Sequence, residues 1–425
     1  MATRQAAGSQ RIGELQARQQ RDEFRTGLRA LLMQPLMAPM HEAFPAVRRQ
    51  ADKLRDWFSR EAGWVLQVER EGARLYKRPA DLSDATRGLK DFERRRYVLL
   101  CLACAVLERA DPQITLHLLG ARVMEMAAEP TLTARQFSFT LRTAAERREL
   151  VAVCRALLEL GVLQRVAGDE DGFVHDNSGG ASGDARADAL YDVQRRLLAG
   201  MLAAVRGPST WAAADAPASF DERQRALVTE HVADSDEGRR TALRHALTRR
   251  LLDDPVVYTE ALDAGTQAYF TNQRGVMAAR LCDATGLVAE QRAEGLALTD
   301  EDGTLTDLAM PAEGTEAHVT LLVAEYLAGR ARHEPSSAAS SDDAVAAFVR
   351  GATERYGRFW RKSAREPGAE RELAQTALER LRKLQLIVRD ADLIRPLPAI
   401  ARFALGAADV QSTTPRGRQT GGSLF

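Results

Sequence analysis

The fold is decided by the stretch Gly63-Trp-Val-Leu-Gln-Val-Glu-Arg-Glu-Gly72-Ala-Arg-Leu75, because a closely similar pattern recurs later in the chain. It aligns without a gap with Gly286-Leu-Val-Ala-Glu-Gln-Arg-Ala-Glu-Gly295-Leu-Ala-Leu298, at an offset of 223 residues. Each copy contains two short strand-like runs joined by a turn with glycine, which is typical of a β-hairpin. We therefore expect one hairpin in each half of the protein.

Two further anchors repeat at almost the same offset. Val98-Leu-Leu100 corresponds to Val319-Thr-Leu-Leu322, and Leu160-Gly-Val-Leu-Gln-Arg165 corresponds to Leu384-Gln-Leu-Ile-Val-Arg389. Matching anchors in the same order indicate an internal repeat. The sequence therefore predicts two related domains.

Apolar residues spaced three and four apart dominate the rest of the chain and predict helices. These helices cover Phe44 to Ala62, Tyr97 to Leu107, Glu146 to Leu160, Leu190 to Val205, Val319 to Leu327 and Ala369 to Leu384. The predicted strand pairs are Trp64 to Arg70 with Ala73 to Lys77, Val162 to Val166 with a partner after Gly172, Leu287 to Arg292 with Leu296 to Thr299, and Leu386 to Arg389 with Leu393 to Arg395.

The predicted fold class is mainly α with small β-hairpins (α+β), arranged as tandem winged-helix domains related by internal duplication. In each domain a long apolar helix runs into a hairpin, which would be the wing. The wing turns are predicted at Ala167 to Gly172 and at Asp390 to Asp392.

Composition shifts divide the chain into five predicted parts. These are an N-terminal helical extension (1–42), a first winged-helix domain (43–205), a linker with two prolines (206–235), a second winged-helix domain (236–408) and a disordered tail (409–425).

The charge balance excludes a protein that coats nucleic acid by its net charge. The chain has 59 basic and 59 acidic residues and a pI near 7.1, so any contact with DNA must be local. The N-terminus lacks the apolar core of a signal peptide, and the longest apolar run, Tyr97 to Leu107, is too short to span a membrane. We expect a cytoplasmic protein without membrane contact.

No motif for catalysis or cofactor binding stands out, and we expect neither an enzyme nor a bound metal or cofactor. The chain has no Gly-Lys-Ser/Thr, no H-E-x-x-H and no G-x-S-x-G. Cys101 and Cys104 form a C-x-x-C, but their leucine and valine neighbours favour core packing.

Acidic pairs of the form D-x-D occur at Asp169/Asp171, Asp300/Asp302 and Asp390/Asp392. Such pairs could hold the metal of a nuclease. All of them fall on predicted turns, where aspartate is favoured because its side chain bonds the local backbone. The turn interpretation is therefore preferred.

Clusters of arginine are the candidates for binding DNA phosphates. The candidate residues are Arg94, Arg95, Arg96, Arg147, Arg148, Arg249 and Arg250. The competing interpretation is a solvated helix face, with the arginines balanced by acids such as Glu93, Glu146 and Glu149.

Several stretches together resemble a known protein family. They are Arg74 to Arg87, Arg94 to Leu102, Glu146 to Asp169, Thr248 to Tyr258 and Ala293 to Leu298. They resemble the small, MukE-like (KITE-type) subunit of an actinobacterial-type Wadjet anti-plasmid system, over Gly27 to Leu405.

The resemblance implies a non-catalytic accessory subunit of a condensin-like SMC complex. Its partners would be a MukF-like kleisin, an SMC-like ATPase reached through the kleisin, a toprim-type nuclease subunit and double-stranded DNA, with a homodimer by analogy. The subunit would bind the kleisin and help clamp DNA, in association with the nucleoid or plasmid, while ATP hydrolysis and DNA cleavage belong to partners.

Two other functions remain open. One is a stand-alone winged-helix transcription regulator, since winged helices serve many roles. Such a protein inserts a helix into the major groove, whereas the helix before the first wing is rich in leucine and valine from Leu150 to Leu160. The other is a nuclease that uses the acidic pairs, which needs a convergent carboxylate cluster.

Overall fold

The computed structural model describes residues 2–79, 81–82, 84, 87–89, 91–175, 188–202, 211–212, 214–333, 339–390 and 393–404. The chain divides into two compact units, residues 1–306 and residues 307–425. Both are mainly helical and carry small antiparallel sheets. The predicted fold class is confirmed at this level.

The helices of the first unit are α1 (Ala2–Met33), α2 (Phe44–Arg49), α3 (Ala51–Ala62), α4 (Arg94–Arg109), α5 (Leu116–Ala127), α6 (Pro130–Thr133), α7 (Ala144–Glu159), α8 (Asp171–His175), α9 (Arg195–Gly200), α10 (Phe220–Val228), α11 (Asp236–Asp253) and α12 (Ala264–Thr285). Those of the second unit are α13 (Thr315–His333), α14 (Asp342–Tyr356) and α15 (Ala369–Lys383).

The strands are β1 (Leu36–Met37), β2 (Val65–Val68), β3 (Ala73–Tyr76), β4 (Gln113–Thr115), β5 (Leu163–Ala167), β6 (Leu190–Val193), β7 (Val257–Tyr258), β8 (Val288–Gln291), β9 (Gly295–Thr299), β10 (Ser340–Ser341), β11 (Ile387–Asp390) and β12 (Leu393–Pro396). Within the described residues they form four antiparallel sheets of three strands. In every sheet the last strand along the chain lies in the middle: β1-β3-β2, β4-β6-β5, β7-β9-β8 and β10-β12-β11.

The predicted hairpins are confirmed, and the first shows why they form. Val65 pairs with Tyr76 and Val68 pairs with Ala73, so the sequence around Gly72 makes the turn. Leu66 and Leu75 point into the core while Val65 faces solvent, as the alternation of a half-buried strand requires.

The two aligned glycines have the same local role. Gly63 ends α3 with a φ of 62°, and Gly286 ends α12 with a φ of 77°. Glycine accepts this left-handed conformation at little cost, and each hairpin follows directly. The local structures agree, while descent from an internal duplication stays a prediction.

The sequence patterns did not predict β1, β4, β7 and β10, which are the first strand of each sheet along the chain. They have two or three residues each, too few for an alternating pattern to be visible. Each one completes a sheet by pairing with the middle strand.

The predicted helix from Leu190 to Val205 is wrong in its first part. Leu190–Val193 forms β6, and only Arg195–Gly200 is helical in the described residues. Tyr191 and Val193 are buried and the residues between them are half-buried, a period of two that belongs to a strand. The fully buried Tyr191 hydroxyl donates to Glu170 at 2.7 Å, which fixes the strand in its place.

The predicted wing turn from Ala167 to Gly172 is also corrected. The chain does not return directly after β5 but enters the short helix α8 at Asp171. The Asp169 carboxylate accepts from the Asp171 N–H at 2.9 Å and so caps this helix. The partner strand β6 follows only at Leu190, which agrees with the predicted partner beyond Gly172.

One hydrophobic core joins distant parts of the sequence within the first unit. Its buried side chains come from α1, α3, β2 and β3 on one side and from α11, α12 and β9 on the other. Phe58 and Phe270 are fully buried in it. Residues 236–306 therefore pack with the N-terminal part of the chain, and the compact units do not divide at the predicted linker, 206–235.

A second core in the first unit lies among α4, α5 and α7 and the sheet β4-β6-β5. The second unit buries the apolar faces of α13, α14 and α15 beside the sheet β10-β12-β11. Residues Pro398–Phe403 form a 3-10 helix. The predicted tail, 409–425, lies outside the described residues.

None of the helices in the described ranges combines the length and the apolar character needed to cross a bilayer.

Replacement of Phe270 tests the shared core. We expect Phe270→Ala to lower the free energy of unfolding of the first unit by about 3–5 kcal/mol, because it removes a fully buried ring. The control Phe220→Ala alters a side chain that is 71% exposed and should change it little. Urea unfolding followed by circular dichroism measures both, and equal losses would contradict the shared core.

Candidate nucleic-acid interface

Arg94, Arg95 and Arg96 begin α4 and have different surroundings. The Arg95 guanidinium donates to Glu149 at 2.8 Å and lies over the ring of Phe137. Arg96 donates to the backbone carbonyl of Asp91 at 2.6 Å. Arg94 is exposed and has no acceptor among the described residues. Only Arg94 of the three leaves its whole guanidinium for a ligand.

Arg147 and Arg148 lie in the first turns of α7. Arg147 donates to the carbonyls of Leu141 at 3.0 Å and Val174 at 3.1 Å, and it thereby holds two loops. Arg148 points into solvent, and no described residue accepts from its side chain. Arg148 is therefore the second candidate that remains available.

Glu146 keeps this end of α7 anionic. Burial raises the pKa of its carboxyl, but hydrogen bonds from Thr140 and Thr143 and the charge of Arg95 outweigh burial and lower the pKa. The Thr143 hydroxyl caps the helix by accepting from the Glu146 N–H. The ion pairs of Arg95 with Glu146 and Glu149 bind α4 to α7.

Arg142 is a candidate that sequence reasoning missed. It is exposed in the turn before α7, and its guanidinium has no acceptor in the described part of the chain. Arg94, Arg142 and Arg148 thus lie near the start of two helices that are bound to each other. A lone arginine such as Arg142 has no cluster that could have drawn attention to it.

Arg249 does not fit the predicted DNA contact. Its side chain is buried, its Nε donates to the Ala62 carbonyl at 2.7 Å, and its Nη2 pairs with Glu230. His245, one helical turn earlier, lies between Glu230 at 2.8 Å and the Arg60 carbonyl at 2.9 Å. We call Glu230, His245 and Arg249 the α3 clasp, because His245 and Arg249 contact the last carbonyls of α3 and Glu230 joins the two side chains.

The α3 clasp is charged. Burial raises the pKa of Glu230, but hydrogen bonds from His245 and Arg249 and their charges lower it overall. The two ring nitrogens of His245 lie within hydrogen-bond distance of two oxygens, one of the Glu230 carboxylate and one of the Arg60 carbonyl.

Arg250 is also engaged within the protein. It pairs with Asp254 at 3.2 Å, and Asp254 pairs with Arg87 at 2.7 Å. Asp253 pairs with Lys77 at 2.5 Å. Burial raises the pKa of Asp254 although both arginines oppose that effect. These pairs bring together the stretches Arg74 to Arg87 and Thr248 to Tyr258, which were singled out in the sequence.

The acidic pairs do not form a metal site in the described residues, where no group of three suitable ligands occurs. Asp169 caps α8, and Asp300 accepts from Arg29 at 2.7 Å. Asp390 pairs with Arg395 at 3.4 Å, while Asp392 lies outside the described residues.

The C-x-x-C residues differ in exposure. Cys101 is exposed, whereas Cys104 is half-buried with its Sγ 3.8 Å from the Met201 sulfur. Burial, with a smaller effect of Cys101, raises the pKa of Cys104 to about 11. The Cys104 thiol therefore stays protonated at neutral pH, unlike a thiolate ligand or nucleophile.

Comparison with known proteins gives one match. The model of a family described as "Protein of unknown function (DUF2398)" matches residues 28–406. No curated protein matches the chain, and no solved structure matches it.

Replacement of Glu230 tests the α3 clasp. We expect Glu230→Gln to lower the free energy of unfolding at pH 7 by about 2 kcal/mol, because hydrogen bonds to charged groups contribute about 1.5–3 kcal/mol each. The control Glu237→Gln changes an exposed glutamate at the start of α11 and should lower the free energy of unfolding by only about 0.3 kcal/mol.

The difference in the free energy of unfolding between the wild type and Glu230→Gln depends on pH. The pKa of Glu230 is lower in the folded protein than in the unfolded chain, where it is about 4.3. The carboxylate therefore contributes fully to the free energy of unfolding above the unfolded pKa, and this contribution is lost as the pH falls through the folded pKa. Urea unfolding at a series of pH values should show the largest difference at neutral pH. A difference that grows toward acid pH would contradict the charged clasp.

Proposed function

We propose that this chain, which belongs to the DUF2398 family, is a non-catalytic accessory subunit of a condensin-like SMC complex. In this proposal it binds a kleisin, helps to clamp DNA, and supports the recognition and cleavage of plasmid DNA by partner proteins. Its sequence resembles the small MukE-like subunit of Wadjet anti-plasmid systems over most of its length.

The observation that carries the proposal is the repeated sheet. In the described residues, four three-stranded sheets have the last strand in the middle, and each lies beside helices of a mainly helical chain. A hairpin added to a short first strand beside a helix is the arrangement of a winged-helix module. Tandem winged-helix domains are what the resemblance to kleisin-binding subunits implies.

The helices that precede the wings, α7 and α15, favour an architectural function and not the reading of DNA bases. The last three turns of α7 bury Leu150, Val153 and Leu157, and α15 buries Leu373, Leu378 and Leu381. A helix that packs this way has one face left for solvent. This favours the accessory subunit over a regulator that inserts a reading helix into the major groove.

The available arginines support weak contact with DNA. Arg94, Arg142 and Arg148 lie near the starts of α4 and α7, are exposed, and have no acceptor in the described ranges. A protein that neutralises about three phosphates gains only modest, strongly salt-dependent affinity. Such a surface suits a clamp in which the complex as a whole encloses DNA.

Co-expression with the genes that flank its own tests the function. We expect this protein to co-elute with a kleisin-like neighbour in size-exclusion chromatography with light scattering, in a complex of fixed mass. If the protein is a transcription regulator, it should instead form no complex with the products of the flanking genes and should bind its own promoter with sequence specificity. That second result would overturn the proposal.

Removal of two arginines tests the DNA surface. We expect Arg94→Gln with Arg148→Gln to weaken binding to a non-specific duplex, and to reduce the slope of log K against log salt by about 2, because each phosphate contact contributes about 0.9. The control Arg18→Gln with Arg21→Gln removes two exposed arginines of α1. Fluorescence anisotropy over a salt series measures both, and equal changes would show that these positions have no special role.

A further inference from the structure

A cavity of about 130 Å³ lies between the β2–β3 hairpin and α9. Its walls include Leu36, Gln67, Arg74, Tyr76, Arg196 and Gly200. By the same measure a single water needs about 10–15 Å³, so the cavity has room for a group of several heavy atoms.

The strand register places the Arg74 side chain in the wall of this cavity. Arg74 belongs to the middle strand β3 and pairs with Gln67 of β2. Its neighbours Ala73 and Leu75 point into the hydrophobic core, so the Arg74 side chain lies on the opposite face of the sheet. That face is covered by α9, where Gly200 lies close to the Arg74 stem because it has no side chain.

Among the described residues, no carboxylate pairs with the charge of Arg74. Its Nε is buried without a hydrogen bond, and no acceptor for its guanidinium occurs among the described residues. The guanidinium lies 5.1 Å from the centre of the Tyr76 ring, and burial lowers the pKa of Arg74. A partly buried guanidinium without a carboxylate partner costs stability, and an anion bound in the cavity would offset that cost.

The rest of the cavity determines what anion fits. Arg196 is already paired with Glu69 through two hydrogen bonds, so it adds no net charge. Glu69 lines the cavity and Glu71 lies close enough to affect Arg196. Outside the neutral Arg196–Glu69 pair, Glu71 balances the charge of Arg74, so the cavity has no excess positive charge to hold a polyanion such as DNA. One carboxylate can still form a single ion pair with the Arg74 guanidinium.

We propose that this cavity binds one carboxylate group, carried by an acidic side chain of a protein partner, through the guanidinium of Arg74. The inference rests on the proposed function in taking the partner to be the subunit that this chain binds. Tyr76 and Leu36 would enclose the stem of the incoming side chain, and exclusion of water would strengthen the ion pair.

Thermal unfolding with small probes tests the cavity without any partner. We expect sodium propionate to raise the Tm of the wild-type protein, and the neutral propionamide to leave it unchanged, at an ionic strength held constant with sodium chloride. Arg74→Gln should weaken the apparent affinity for propionate by at least about tenfold, since a charge-assisted pair is lost. The control Arg70→Gln removes an exposed arginine of the same hairpin and should respond to propionate as the wild type does.

The stability of Arg74→Gln without ligand is a second readout. An arginine that serves the fold would lower the Tm when replaced, whereas an unpaired binding arginine should leave the Tm equal or higher. A wild-type Tm that propionate does not change, or a response that survives in Arg74→Gln, would overturn the proposal. A larger rise with sodium phosphate, also lost in Arg74→Gln, would overturn the carboxylate in favour of a phosphate.

The complex separates this inference from the proposed function. With co-expressed neighbours, Arg74→Gln should lose the partner more readily than Arg70→Gln as salt is raised. Propionate binding at Arg74 without any co-eluting neighbour would support the cavity and overturn the proposed complex. A stable complex together with a Tm that propionate does not change would support the proposed complex and overturn the carboxylate-binding cavity.

Discussion

The arrangement of the first unit depends on how the end of α3 is satisfied. A helix leaves its last carbonyls without partners, and burial of that end is costly unless donors are supplied. Here the donors come from α11: Arg249 donates to Ala62, and His245 faces Arg60. Glu230 contacts both side chains and joins them into one unit. Contacts that span 187 and 185 residues of sequence thus close over the shared hydrophobic core.

The same use of charge explains why a chain with no net charge carries so much arginine. Only 5 of its 59 basic residues are lysine, and many arginines bind backbone carbonyls or carboxylates inside the fold. Arg29 holds Asp300, Arg87 holds Asp254, and Arg95 holds Glu149. A planar guanidinium with several fixed donors suits this purpose better than an ammonium group. Arginine that is left unpaired, as at Arg74, is therefore informative.

The sequence predicted the hairpins well because alternation and turn residues are local signals. It failed at Leu190, where apolar residues of a short strand and a short helix merged into one helical pattern. It also could not tell Arg148 from Arg249, since both belong to arginine pairs on helices. What separates them is tertiary: one faces solvent, and the other meets a helix end and Glu230. Arg74 gave no signal, because a missing partner is visible only when the surroundings are known.

The shared core imposes an order on the synthesis of the chain. Trp57, Phe58 and Trp64 leave the ribosome early, but the side chains that cover them come from α11, α12 and β9. The long chain between these aromatic residues and α11 slows folding, because its ends must meet before the core forms. Until then the exposed aromatic side chains favour aggregation. The second core, built between Leu99 and Leu198, draws almost entirely on one continuous stretch and can form while translation continues. The core beside the first sheet is therefore complete only after β9, the middle strand of the third sheet, has been synthesised.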